Sequence, residues 1–183
     1  YGLDTESELK MLRTIDRAGH EIPLDVIPTF LGAHAVPEEY AWKPDAYVDV
    51  IVNEMLPRVA EQGIARFCDV FCEKGVFTVQ QSRRILETAH RFDFGLKAHA
   101  DEITDFGGAA LAASLKATSA EHLLCAGTDS IRAMAESGVI GVLLPASAYS
   151  LRKDYAPARK MIELGLPIAI ATDCNPGSSY TES

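Results

Sequence analysis

The amino-acid sequence predicts an α/β protein in which parallel strands form a (β/α) barrel. Short apolar runs alternate with longer segments of helical periodicity along the whole chain, which is typical of repeated βαβ units. Ionisable side chains follow several of the predicted strands, and barrel enzymes gather their catalytic groups at the carboxyl ends of their strands. No G-x-G-x-x-G sequence follows any strand, although a dinucleotide-binding doubly wound sheet uses one. We therefore favour a barrel over a doubly wound sheet.

The apolar spacing predicts three helices and two strands in the first half of the chain. A helix over 7–18 precedes a strand over 24–32, which contains one proline. A long helix begins at Pro44, because the apolar side chains that follow keep the i, i+3, i+4, i+7 spacing. After a strand over 65–72, Thr78 is placed to cap the third helix.

The second half of the chain continues the alternation. Apolar runs predict strands over 94–98, 119–124, 139–144 and 167–172. Helical spacing predicts helices over 107–116, 130–137 and 157–164. Helices that separate successive strands are the crossover connections that parallel strands need.

The composition excludes several classes of protein. The chain of 183 residues carries 17 basic and 26 acidic side chains, which gives a formal net charge of -9. An acidic chain without a basic stripe is a poor candidate for binding nucleic acid or anionic membranes, and no apolar run approaches the roughly 18 residues of a membrane span. The 4 cysteines form no C-x-x-C pair, which indicates free thiols in a reducing compartment. We expect a cytoplasmic protein.

The candidate site consists of ionisable residues at or near the carboxyl ends of predicted strands, namely His34, Glu73, His99, His122 and Asp173. Neutral imidazole and carboxylate groups are ligands for a divalent metal ion, and such an ion activates water for hydrolysis. A serine or cysteine nucleophile finds little support, because the sequence has no G-x-S-x-G elbow and no cysteine in an electropositive setting. The pattern favours metal-assisted hydrolysis.

Several of these groups also have a purely structural interpretation. Asp101 and Glu102 could lie near the positive end of a helix, and His122 could be a buried core residue among its apolar neighbours. The turn from Thr172 to Ser178 could be an ordinary Asx turn that ends a strand, or its N–H groups could bind an anion. The residues alone leave these alternatives open.

Five segments occur in a fixed order along nearly the whole chain. They are Tyr1-Gly2-Leu3, TFLGAHA at 29–35, DVFCEKGVF at 69–77, KAHADE at 97–102, and Thr172-Asp173 with NPGS at 175–178. In this combination the sequence resembles the imidazolonepropionase family of the amidohydrolase superfamily. The resemblance implies a (β/α)8 barrel that uses one divalent metal ion, zinc or iron. It also implies hydrolysis of 4-imidazolone-5-propanoate to N-formimino-L-glutamate in histidine degradation.

The resemblance also implies roles for individual residues. His99 matches the metal-binding histidine of the fifth strand, and Asp173 matches the metal-binding aspartate of the eighth. Glu102 resembles the carboxylate that contacts the imidazolone ring and assists the attacking water. His122 is similar to the sixth-strand histidine that contacts water or the developing oxyanion. We therefore expect Glu102, His122 and Asp173 to be catalytic, with Asp173 able to accept the proton of the attacking water.

Further positions match family residues that contact the substrate or product. They are Tyr1, His34, Glu102, Asn175, Gly177 and Ser178. The family often forms homodimers, so the resemblance implies a homodimer as well.

The sequence departs from the family pattern in what it lacks. It contains no H-x-H pair, which in the family lies on the first strand and supplies two further metal ligands. By strand count, residues 1–183 correspond to about strands 2 to 8 of the catalytic barrel, without the first strand and without the small β-domain. We expect an internal segment of a longer enzyme that binds metal poorly by itself. The alternatives are another metal-dependent cyclic amidohydrolase or deaminase, and a non-catalytic barrel fragment.

Overall fold

The computed structural model describes residues 1–182. Its six strands form an α/β sheet in which the order of the strands follows the order of the chain, so the predicted α/β class is confirmed. The chain divides into two compact units, one made of 1–71 with 75–97 and the other of 72–74 with the residues from 98 onward. Among the described residues, no helix is both long and apolar enough to cross a membrane.

The first unit begins with helix α1 (Thr5–Glu21), which leads to strand β1 (Thr29–Ala33). Strand β2 (Phe67–Cys72) pairs with β1 in parallel. Helix α4 (Val79–Arg91) follows and begins with a capping box. The hydroxyl of Thr78 accepts a hydrogen bond from the N–H of Gln81, and the side chain of Gln81 accepts one from the N–H of Thr78. The predicted cap at Thr78 is therefore confirmed.

The long helix predicted from Pro44 forms in three parts. Helix α2 (Pro44–Val50) continues through a π-helical turn (Ile51–Met55) into helix α3 (Leu56–Gln62). Its apolar face supplies much of the core of this unit. The fully buried Tyr47 donates a hydrogen bond of 2.8 Å from its hydroxyl to the carbonyl oxygen of Gly32 on β1.

The remaining elements repeat the strand and helix alternation. Strands β3 (Gly95–Ala100), β4 (Ser119–His122), β5 (Ile140–Leu143) and β6 (Ile168–Ile170) occur in this order. Between and after them lie helices α5 (Gly108–Ser114), α6 (Thr128–Ser137), α7 (Pro145–Ser150) and α8 (Ala158–Glu163). Within the second unit, β5 pairs in parallel with both β4 and β6.

Five of the six predicted strands are longer than the strands that form, and for two of them the backbone shows the physical cause. Residues 24–28 do not belong to β1, because Pro28 has no N–H to donate to a neighbouring strand, and Leu24 is 68% exposed. The prediction of a strand over 119–124 is wrong beyond His122. There the backbone enters the left-handed region, with φ of 71° at His122 and 58° at Leu123.

Helix α7 forms although the apolar spacing of the sequence does not predict it. Pro145, which follows the strand predicted over 139–144, is the first residue of α7. Proline suits this position because its fixed φ matches the first turn of a helix. The first N–H groups of a helix have no acceptor within the helix, so the absence of an N–H in proline costs no hydrogen bond there.

Candidate metal centre and catalytic residues

Three predicted site residues come together in the second unit. His99, His122 and Asp173 each offer one ligand atom, and these atoms all lie within 4.8 Å of one another. His99 lies near the end of β3, His122 is the last residue of β4, and Asp173 follows β6. His122 is buried, whereas His99 and Asp173 are partly exposed. The carboxyl ends of different strands therefore converge, as the sequence predicts.

The backbone at these strand ends takes an uncommon conformation. Asp101 has φ of 50°, His122 has 71° and Asp173 has 53°. Non-glycine residues rarely adopt the left-handed region, and such residues cluster at active sites and ligand-binding sites. Each of these positions turns the chain sharply where a strand ends, which brings the neighbouring side chains to the same end of the sheet of this unit.

Glu102 lies beside this cluster. Its Oε1 is 3.6 Å from Nδ1 of His122, and the two side chains are 13% and 5% exposed. The rings of His99 and His122 are neighbours, with centroids 5.1 Å apart. A carboxylate and two imidazoles thus lie close together, and two of the three groups, Glu102 and His122, are largely shielded from water.

The surroundings of Glu102 raise its pKa above the ordinary value for glutamate. Burial of the carboxyl group is the main cause. The imidazole of His99 and the ammonium of Lys153 oppose this rise. The negative charges of Asp173 and Glu73 add to it. A carboxyl group with a raised pKa is suited to take up and release a proton near neutral pH.

The turn after β6 supports Asp173. Nδ2 of Asn175 donates hydrogen bonds to the carbonyl oxygen and to Oδ1 of Asp173, at 2.7 and 3.1 Å. The N–H groups of Gly177 and Ser178 both donate to Oδ1 of Asn175 at 2.8 Å. This geometry is the Asx turn that was one of the two interpretations of the segment. The N–H groups of Gly177 and Ser178 are already engaged by Asn175.

Two other predicted substrate-binding residues lie in the first unit. The ring of Tyr1, which is 52% exposed, lies 5.0 Å from the ring of His34 between centroids. His34 also contacts the ring of Phe71, with centroids 5.3 Å apart. The structure therefore brings Tyr1 and His34 together at the end of β1.

Two further carboxylates have structural roles at the strand ends. Glu73 follows β2 and hydrogen-bonds to residues 103 and 104. Asp101, considered above as a group at a helix terminus, accepts hydrogen bonds from four N–H groups at the start of α5. The position of Glu73 at a strand end was a visible signal, but its partners are about thirty residues away and no local pattern reveals them.

The donor set suits a divalent metal ion. Two imidazoles and one carboxylate are common ligands of zinc and iron in hydrolytic enzymes. The ligand atoms of His99, His122 and Asp173 lie within 4.8 Å of one another, close enough for one ion to contact them, so these residues fit such an ion.

The sequence is similar to curated proteins along its entire length. It is 67% identical over 183 residues to an imidazolonepropionase from Syntrophobacter fumaroxidans. This alignment covers 100% of the present chain and 43% of the Syntrophobacter protein. The chain is 63% identical to an imidazolonepropionase from Desulfotalea psychrophila and covers 44% of it. The chain thus spans less than half the length of these relatives. No family profile matches it. The resemblance to imidazolonepropionases is confirmed.

Solved structures share the fold. The structure of a guanine deaminase from C. acetobutylicum with bound guanine superposes with a TM-score of 0.69 at 11% sequence identity. The match covers 98% of this chain and 46% of the deaminase chain. The structure of an adenosine deaminase from Xanthomonas campestris with bound zinc has a TM-score of 0.54 at 20% sequence identity. This match covers 78% of the present chain and 36% of the deaminase chain. An amidohydrolase from the Sargasso Sea has a TM-score of 0.50 at 19% identity, over 70% of this chain and 30% of its own. These likenesses confirm the predicted amidohydrolase type of fold.

Proposed function

We propose that this chain, which matches imidazolonepropionases throughout its length, forms part of a catalytic barrel that hydrolyses 4-imidazolone-5-propanoate to N-formimino-L-glutamate. The observation that carries the proposal is the convergence of His99, His122 and Asp173 beside the carboxyl group of Glu102. Hydrolysis of a cyclic amide needs an activated water, a group that stabilises the oxyanion, and a proton for the departing nitrogen. This cluster contains side chains suited to each task.

His99 and Asp173 are the residues that would hold a divalent metal ion, zinc or iron. When bound, such an ion lowers the pKa of a bound water to about 7 and polarises a carbonyl oxygen. Asn175 fixes the orientation of Asp173 through two hydrogen bonds. A fixed ligand carboxylate loses little conformational freedom on binding, so this support favours the site.

Glu102 and His122 act on the substrate in this proposal. His122, at the end of β4, donates a hydrogen bond to the oxygen of the carbonyl group that is attacked. The partly buried Glu102 receives the proton that the attacking water gives up and delivers it to the ring nitrogen as the C–N bond breaks. Asp173 is the second candidate for the first acceptor of that proton. The raised pKa of Glu102 supports its role as a proton carrier.

The finer parts of the proposal concern the substrate and the setting. Tyr1 and His34 contact the substrate ring or its propanoate group, and the Asn175–Ser178 turn contacts the substrate or product. All 4 cysteines are free, which supports a reducing, cytoplasmic setting. We also propose that the protein forms a homodimer. Size-exclusion chromatography with light scattering tests this oligomeric state.

The variant Glu102→Gln in the full-length protein tests the catalytic part. We expect kcat for the imidazolone to fall by about 10²- to 10⁴-fold, with metal content unchanged, because the amide keeps the size of the side chain but cannot carry the proton. Glu136→Gln is the matched control, since Glu136 is exposed on α6, and it should keep wild-type turnover. Full activity of Glu102→Gln contradicts the role. Faster turnover of a hydantoin-like ring than of the imidazolone by the wild-type protein would instead support another cyclic amidohydrolase.

A further inference from the structure

We propose that Glu73 is a positioning residue, whose carboxylate fixes the loop after β3 and thereby the direction of Glu102. The inference rests on the function proposed above for Glu102. Glu73 directly follows β2 and is fully buried, with 0% of its surface exposed. A buried carboxylate is tolerated only where donors satisfy its oxygens. The identity of these donors therefore shows what Glu73 holds in place.

The donors to Glu73 belong mainly to the loop after β3. Its Oε2 accepts hydrogen bonds from the N–H of Ile103 at 2.9 Å and from the N–H of Thr104 at 3.3 Å. Its Oε1 accepts one from the hydroxyl of Thr104 at 2.6 Å and one from the N–H of Lys74 at 2.8 Å. Three of these four hydrogen bonds thus tie residues 103 and 104 to the end of β2.

Asp101 fixes the other side of the same loop. Its Oδ1 accepts hydrogen bonds from the N–H groups of Phe106, Gly107 and Gly108, and its Oδ2 accepts one from Ala109. These four distances lie between 2.9 and 3.0 Å. Asp101 is fully buried as well. The loop is therefore held to the start of α5 by one carboxylate and to the end of β2 by the other.

Glu102 lies between these two attachments. Its neighbours on either side, Asp101 and Ile103, each take part in one of them. The fit beneath the loop is close, because a Cβ atom added to Gly108 would lie 2.8 Å from the Cβ of Ala100. A backbone held on both sides limits the directions in which the Glu102 side chain can point. Glu73 supplies the attachment that follows Glu102 in the sequence, at residues 103 and 104.

Glu73 is ionised when it makes these contacts. Burial by itself acts to raise its pKa, but the hydrogen bonds from Thr104, Ile103 and Lys74 outweigh burial and lower the pKa below its ordinary value. Glu73 therefore remains a carboxylate at neutral pH and accepts from all four donors at once.

The hydrogen bonds of Glu73 also distinguish positioning from catalysis. Two carboxylate oxygens accommodate about four hydrogen bonds, and residues 74, 103 and 104 already supply four. No acceptor site of Glu73 is left for water or substrate. Glu73 therefore acts through the loop and not on the reacting atoms.

Kinetics of the full-length protein test the proposal with Glu73→Gln. In Glu73→Gln, an NH₂ group replaces one of the two carboxylate oxygens and cannot accept a hydrogen bond. The loop therefore loses at least one of its hydrogen bonds to residue 73. We expect kcat to fall by about 10- to 100-fold, with a much smaller change in KM and unchanged metal content. In the Glu102→Gln background, the same substitution should lower kcat by less than about twofold, because the two residues act as one unit. A full additional loss in that background overturns the proposal.

Thr104 provides a second variant that keeps the charge. Thr104→Val removes only the hydroxyl that donates to Glu73 and should lower kcat, whereas Thr104→Ser retains the hydroxyl and should restore it. Thr88→Val is the matched control, because Thr88 is a buried threonine of α4 whose hydroxyl donates to the carbonyl oxygen of Arg84 at 2.8 Å. It should leave kcat unchanged. Equal kcat for Thr104→Val and Thr104→Ser contradicts the proposal.

Amide hydrogen exchange separates this inference from the proposed function. The N–H groups of Ile103 and Thr104 should exchange faster in Glu73→Gln than in the wild-type protein. If the wild-type protein does not hydrolyse the imidazolone, the proposed function fails, and the exchange measurement still decides whether Glu73 fixes the loop. Unchanged exchange at both amides shows that it does not.

Discussion

Nδ1 of His122 lies 3.6 Å from Oε1 of Glu102, and both side chains are largely shielded from water. Charges at such a separation interact more strongly when little water screens them. The contact between these two groups is therefore little weakened by solvent. Because the two side chains lie on different elements, their proximity depends on the fold of the second unit and not on local sequence.

The first prediction concerns His122. We expect His122→Phe in the full-length protein to lower kcat by about 10²- to 10³-fold, which is typical for loss of an oxyanion-stabilising donor. The phenyl ring keeps the aromatic bulk of the side chain but has no hydrogen-bond donor. Metal analysis of the same preparation distinguishes two roles, since loss of the metal together with activity would make His122 a required ligand. Wild-type turnover would contradict both roles.

The second prediction concerns the support of Asp173. Asn175→Ala removes the two hydrogen bonds to Asp173, so we expect the affinity for zinc to fall by about 10- to 100-fold. Competition with a chelator measures this change. Asn53→Ala is the control, because Asn53 is exposed in the first unit. Unchanged affinity in Asn175→Ala would show that the turn does not orient Asp173.

The third prediction concerns stability. The buried carboxylate of Glu8 accepts hydrogen bonds from the N–H of Gly2 at 2.6 Å and of Leu31 at 2.7 Å. Glu8→Gln leaves one of these N–H groups without an acceptor, so the free energy of unfolding should fall by about 1–3 kcal/mol. Glu6→Gln is the control, because Glu6 is 69% exposed in its ion pair with Arg58, and exposed pairs contribute about 0–1 kcal/mol. Urea unfolding measures both, and equal effects would contradict the prediction.

The fourth prediction concerns acid pH. The hydroxyl and the N–H of Ser7 donate to the carboxylate of Asp4, the N-cap of α1, and lower the pKa of Asp4 below 3.8. A group whose pKa is lowered by folding stabilises the protein above the unfolded pKa, and this contribution is lost as the pH falls through the folded pKa.

Asp4→Asn should therefore remove stability at pH 7 and leave a smaller difference from the wild type below pH 3.8. Unfolding measured from neutral to acid pH checks this. A difference between the two proteins that grows as the pH falls would contradict the assignment.

Local patterns predict much of the fold. Thr78 caps α4 as expected because the capping box needs only residues that are three positions apart. The order of strands and the convergence of His99, His122 and Asp173 follow from the alternation, since the carboxyl ends of parallel strands lie at one edge of a sheet.

Other features depend on contacts that no local pattern encodes. The early end of β4 follows from the left-handed backbone at His122 and Leu123, a conformation that non-glycine residues rarely adopt. The attachment of Glu73 to Thr104 joins residues that are 31 positions apart. Such pairs are set by tertiary packing, which is why the sequence places Glu73 at a strand end without showing its role.

The central claim is that the strand-end residues of the second unit hold a divalent metal ion for hydrolysis, and His99→Ala tests it most directly. The measurement is metal content together with imidazolone hydrolysis in the full-length protein, compared with the control His90→Ala on the exposed side of α4. We expect the wild-type protein and His90→Ala to contain zinc or iron and to hydrolyse the imidazolone, and His99→Ala to lose both. Wild-type metal content and activity in His99→Ala would contradict the claim.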